Sequence, residues 1–139
     1  MNTKIMPPST GRIPGWVGVV VVVCAVLMGA GAIIAAVNPG MLVDPHEEIN
    51  SAVKAYAGYL TARNGVLAVV LLALLIAGTR RALGNLVAVV GLIQIFDFVV
   101  DCTEARWSVA PGVLLLGFLL LIGAGRLSGA PFWQLRAWS

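Results

Sequence analysis

Apolar residues in this chain come in four long runs rather than in short alternating segments. The runs cover about residues 16–37, 60–78, 83–100 and 109–124, and each approaches the roughly 20 residues that cross a hydrocarbon core of about 30 Å as a helix. Lipid offers backbone amides and carbonyls no partner, so uninterrupted runs favour helices over the alternating strands of a barrel. The pattern predicts an all-α membrane protein, a four-transmembrane-helix bundle with a long connection from the first helix to the second. Residues 1–15, rich in Pro and Gly, read as a flexible leader, and residues 16–125 form the membrane domain. Residues 126–139 place Phe132, Trp133 and Trp138 beside Arg136, the composition of an interfacial tail.

Polar punctuation refines these limits. Asn38-Pro39-Gly40 signals a turn after the first run, and Asp44-Pro45-His46-Glu47 has the form of a helix start. Asp44 would cap it, Pro45 would take its first position, and Glu47 would meet the positive end of the helix dipole. No proline interrupts the chain from Pro45 to Gly78, so the spacing predicts one helix of about 34 residues, roughly 50 Å long. Its first half then lies along the interface. Lys4 and Arg12 ahead of the first run resemble the opening of a secretory signal, but that run is longer than a signal core, and the expectation is that it stays as a spanning helix.

Composition excludes a soluble alternative. Of 139 residues, 60% are hydrophobic and 11% are charged, with a mean hydropathy of +0.97, against about 25% charged in soluble domains. The net charge of +3 is spread with a sidedness. Lys4, Arg12, Arg80, Arg81, Arg126 and Arg136 fall in segments on one side of the four runs, none of which carries an acid, whereas all six acids fall on the other side. By the positive-inside rule the basic side is cytoplasmic, so both termini are inside. The implied membrane is the bacterial inner membrane, or the endoplasmic reticulum in a eukaryote. Membrane lipids account for the basic residues, and nucleic acid is not implied as a partner. Two cysteines and one histidine lack metal-ligand spacing, so neither metal nor other cofactor is expected. His46 reads as a solvated helix-start residue, and a homo-oligomer stays open.

Candidate chemistry concentrates in the third run. Gln94, Asp97, Asp101 and Glu104 are spaced by three, four and three, which puts them on one helical face. Carboxylates in an apolar helix face a cavity or a partner inside the bundle. If Arg80 and Arg81 form the turn of an antiparallel hairpin, Arg63, 17 residues before Arg80, lies level with Asp97, 16 residues after Arg81. Tyr59 then lies near Asp101, and Tyr56 near Glu104. Arg63 between two aspartates would hold one ionised while their repulsion keeps a proton on the other, leaving an acid beside a base. Asp97, Asp101 and Arg63 are therefore the candidate catalytic residues, with Asn64, Tyr56, Tyr59, Gln94 and Glu104 as substrate-binding helpers. The plainer alternative is an Arg63–Asp97 pair that only locks the hairpin.

The sequence Tyr56-Ala-Gly-Tyr59-Leu-Thr-Ala-Arg63-Asn64-Gly65, the Arg80-Arg81-Ala-Leu-Gly84 turn and the stripe through Asp97 and Asp101 resemble a family of small four-helix bacterial and fungal membrane proteins grouped as a domain of unknown function. The resemblance runs from about Gly29 to Gly125. Some relatives of this kind are linked to epoxide opening or cyclisation in polyketide clusters, which implies a lipophilic epoxide as substrate and matches Arg63 and Asp97 or Asp101. Asn64 departs from the pattern, where aspartate is frequent. The leading expectation is thus a protein that binds a lipophilic small molecule from the outer leaflet and hydrolyses or isomerises it by general acid–base catalysis. The alternatives are a proton-coupled transporter and a non-catalytic scaffold or subunit.

Overall fold

The computed structural model describes residues 12–43, 46 and 48–129. The sequence readings that rest on Asp44, Pro45 and Glu47, on the leader up to Gly11 and on the tail from Ala130 lie outside the described residues.

Four helices make up the bundle: α1 (Gly15–Val37), α2 (Ser51–Ile76), α3 (Arg80–Thr103) and α4 (Ala110–Ser128). All four are long and apolar enough to cross a membrane, as the runs predict, and the chain is a multi-pass integral membrane protein. Helix α1 stops because the residue before a proline is driven out of the α region: Asn38 lies outside it (φ −143°, ψ 75°), and Pro39–Leu42 follow as a short 3-10 turn. Helix α2 does not begin near Pro45 as the capping signal predicts. Residues 48–50 are not helical, and Asn50 is the cap, its side chain accepting a hydrogen bond from the Val53 amide at 3.0 Å. The 26 residues of α2 still span about 39 Å, so its first turns, with Lys54, outreach the hydrocarbon core.

The turn between α2 and α3 is shorter than expected and is not made by the arginines. Gly78 takes the left-handed conformation (φ 67°), and Gly78 and Thr79 donate back to the carbonyls of Leu75 and Leu74 at 3.2 and 3.3 Å. That double bond is the Schellman ending, which glycine adopts without steric cost. Arg80 and Arg81 belong to the first turn of α3. Arg80 reaches across to the end of α4, its Nε donating to the Leu127 carbonyl at 3.0 Å and its Nη2 to that of Arg126 at 2.7 Å. A cation there meets the negative end of the α4 dipole and satisfies carbonyls left open by the helix end.

Packing is uneven around the ring. Helix α3 lies most intimately on α4, and α1 on α2, whereas α2 and α3 touch sparsely. The hairpin expected between α2 and α3 is therefore a loose one. Small residues explain the two tight pairs. A Cβ added at Gly91 would meet the Gly117 carbonyl at 3.2 Å, and one at Gly117 would meet the Gly91 carbonyl at 3.3 Å. On the other side Thr61 donates to the Ala32 carbonyl at 3.2 Å.

The buried core, including Val17, Val21, Cys24, Leu71, Leu83, Val87 and Leu127, lies where α1 and α3 begin and α2 and α4 end. This is the basic end. Toward the opposite end the same buried stripe of α3 continues through Gln94 and Asp101, and there the packing opens.

Candidate functional site

Residues of all four helices line a cavity of about 730 Å³. Its walls are mostly aliphatic, with Leu27 of α1, Leu60 of α2, Val100 of α3 and Leu116 of α4 among them. Gly31 and Gly112 also line it. A Cβ added at Gly112 would meet nothing within 4 Å, so the space there is open rather than filled by a neighbour.

Two ion pairs meet at this cavity. Arg63 Nη2 lies 3.2 Å from Asp97 Oδ2, the pairing expected from their equal distances to the turn. Arg63 Nε also donates to Asn64 Oδ1 at 3.3 Å. The second pair was not expected. Arg106, in the loop that follows α3 and half exposed, places Nη1 3.7 Å from Asp101 Oδ1 and lines the cavity. Its position depends on the backbone. Ala105 has φ 55°, a left-handed conformation, and this turns the chain so that the Arg106 amide donates to the Asp101 carbonyl at 2.8 Å.

This corrects the picture of one arginine shared by two aspartates. Each carboxylate faces its own guanidinium. The two aspartates also differ in setting. Asp97 stands at the sparse α2–α3 seam with 36% of its side chain exposed, whereas 12% of the Asp101 side chain is exposed. At 3.7 Å the Asp101 pair is ionic rather than a hydrogen bond.

Gln94 sits about one helical turn past the Gly91–Gly117 crossing, and only 9% of it is exposed. It lines the cavity, and its amide makes no hydrogen bond to another described residue. Its amide atoms are not sealed inside the protein, so they are available to whatever enters the cavity. Of the other residues singled out from sequence, Asn64 and Tyr56 line the cavity. Tyr59 is exposed and Glu104 is the exposed residue that ends α3, and neither is among the lining residues.

Chemically, the site is a largely hydrophobic chamber with two guanidinium donors, two carboxylate acceptors and the neutral amides of Asn64 and Gln94 along its wall. It can enclose an apolar body and bind a polar group through either type of hydrogen bond. No known protein family, curated protein or solved structure matches the chain.

Proposed function

We propose that this membrane protein binds a lipophilic small molecule in the cavity at the acidic end of the bundle. The observation that carries the reading is the cavity itself: about 730 Å³, the size of a drug-like ligand site, bounded by all four helices. Apolar walls suit a molecule drawn from the membrane, and the Arg63–Asp97 and Arg106–Asp101 pairs with Gln94 suit its polar group. The test is binding of long-chain terminal epoxides to the purified chain in lipid nanodiscs, beside Gly112→Phe, which fills the cavity where a side chain meets no neighbour. Saturable binding that Gly112→Phe loses while remaining folded supports the reading. Equal binding to both places the ligand elsewhere and refutes it.

A reaction is a second reading, favoured by the setting of Asp101. Its carboxylate accepts no hydrogen bond from another described residue, so it is free to accept one from water. In an epoxide opening Asp101 would take a proton from water as the oxygen attacks an epoxide carbon and the carbon–oxygen bond breaks. Arg63 or Arg106 would stabilise the alkoxide, which then recovers the proton from Asp101, leaving a diol. Asp101→Asn is expected to bind the epoxide and form no diol above the protein-free rate. Undiminished diol formation by this variant would remove Asp101 from any such role.

A further inference from the structure

The charges around the cavity sum to zero, and this restricts what can bind there. Arg63 and Arg106 are each committed to one aspartate. An anionic headgroup approaching either guanidinium would face Asp97 or Asp101 as well, and a cationic one would face an arginine beside each carboxylate. An ionised group entering the cavity gives up its hydration and gains no net attraction in return. An uncharged oxygen loses less on leaving water and can recover it through hydrogen bonds to Asp101, Arg106 and Gln94.

Gln94 adds a second constraint. It and Asp101 lie on the same buried stripe of α3, seven residues apart, which is a rise of about 10 Å along the helix. Asp101 and Arg106 stand near the end of α3, and the Gln94 amide, which has no partner among the described residues, lies deeper along the helix. One small polar group cannot reach both.

Resting on the binding reading above, we propose that the ligand is an uncharged, long-chain oxygenated hydrocarbon with two polar functions. One, a hydroxyl, carbonyl or epoxide oxygen, is held by Asp101 and Arg106. The other lies about 10 Å further along the chain and is held by the Gln94 amide, which can donate to it or accept from it.

Four probes test this with the full-length chain in nanodiscs, each corrected for partition into protein-free nanodiscs. They are a saturated eighteen-carbon primary alcohol, the same alcohol with a second hydroxyl on its tenth carbon, and two analogues of that diol whose terminal hydroxyl is replaced by a carboxylate or an ammonium group. The diol is expected to bind about tenfold more tightly than the plain alcohol and than either charged analogue. Gln94→Leu, a near-isosteric change at an amide with no partner among the described residues, is expected to remove the diol's advantage over the plain alcohol. Equal binding of diol and plain alcohol by the wild type overturns the assignment of Gln94, and tighter binding of a charged analogue overturns the neutral class. Either result leaves a binding site standing. Failure of all four probes, together with failure of the terminal epoxides, overturns the binding reading itself.

Discussion

At Arg106 the backbone and the side chain act on the same residue, since the amide donates to the Asp101 carbonyl and the guanidinium faces the Asp101 carboxylate. Both contacts depend on Ala105 at φ 55°, a conformation that costs an L-residue about 1–2 kcal/mol and glycine little. Ala105→Gly relieves that strain but adds freedom to the unfolded chain, worth about 0.4–1 kcal/mol in the other direction. The predicted outcome is a net gain of roughly 0.5 kcal/mol in unfolding free energy, read by denaturation in detergent with ligand absent. A loss would mean that the turn is held by something other than this backbone geometry. The Arg63–Asp97 pair makes the opposite kind of prediction. Asp97→Leu leaves a guanidinium without its carboxylate at membrane depth and should cost about 2 kcal/mol, the scale of a charged hydrogen bond. Arg63→Met in the same chain should return most of it, because two apolar residues leave no charge unpaired. If the double variant is no more stable than Asp97→Leu alone, the pair does not contribute as described. The two pairs were not equally readable in the sequence. Arg63 and Asp97 could be matched by counting from the turn, which works because antiparallel helices rise at one rate. Arg106 could not, because its placement follows from a left-handed alanine where a glycine would have been the visible sign.

Helix–helix crossings carry the next level of specification. Gly91 and Gly117 bring the α3 and α4 backbones together at a point where an added Cβ would press on carbonyls at 3.2–3.3 Å, and backbone atoms cannot step aside as a side chain can. Gly117→Val is therefore expected to cost about 1–3 kcal/mol, the range for overpacked cores. Gly29→Val, at a helical position with nothing within 4 Å, should change stability by less than about 0.5 kcal/mol. Similar losses at both sites by thermal unfolding would show that helix propensity, not the crossing, decides. The hydrophobic runs were sufficient to find the four helices, because span length is imposed by the bilayer. They said nothing of which helices pair, since lipid-facing and core-facing aliphatic residues look alike in hydropathy. Glycine spacing held that information in part: Gly84 and Gly91 of α3 stand seven apart, and both meet α4. The start of α2 was misread for a related reason. Asp44-Pro45 has the form of a helix start, but asparagine caps a helix as well as aspartate does, and the side chain that accepts from the Val53 amide is that of Asn50. Arg80→Met extends the same argument to the end of α4. Losing its donors to the Leu127 and Arg126 carbonyls should speed hydrogen exchange in the last turn of α4 and leave the middle of the helix unchanged. Unchanged exchange at that turn would exclude Arg80 as its cap.

Across the whole molecule, packing and charge are segregated along one axis. The basic end is a buried core mostly of Val, Leu and Ala, with Arg80 clamped onto the end of α4. At the acidic end the polar residues Asn64, Gln94, Asp97 and Asp101 take the place of core aliphatics, and the helices stand apart around the cavity. A residue that must face a cavity inside the bundle cannot also fill it, so the site and the looser packing have the same cause in sequence. Sequence reasoning located this polar level through the depth of Arg63 and Asp97, whereas the extent of the cavity depends on how far α2 stands from α3, which no local pattern records. The same axis predicts the orientation in the membrane. Even-numbered antiparallel helices put the start of α1 and the end of α4 at one end, and Gly123 lies 3.5 Å from Val17 by the measure of an added Cβ. Arg12, Arg80, Arg81 and Arg126 share that end, so the positive-inside rule directs it to the cytoplasm and the cavity to the opposite leaflet. Single cysteines can decide this in a chain whose Cys24 and Cys102 have been replaced by alanine. Thr79→Cys lies in the exposed turn between α2 and α3, and Glu104→Cys lies at the exposed end of α3. In sealed cells a membrane-impermeant maleimide should label Glu104→Cys, and Thr79→Cys should react only after the membrane is opened. The reverse pattern would place the cavity in the cytoplasmic leaflet, and the source of its ligand would then be the cell interior rather than the surroundings.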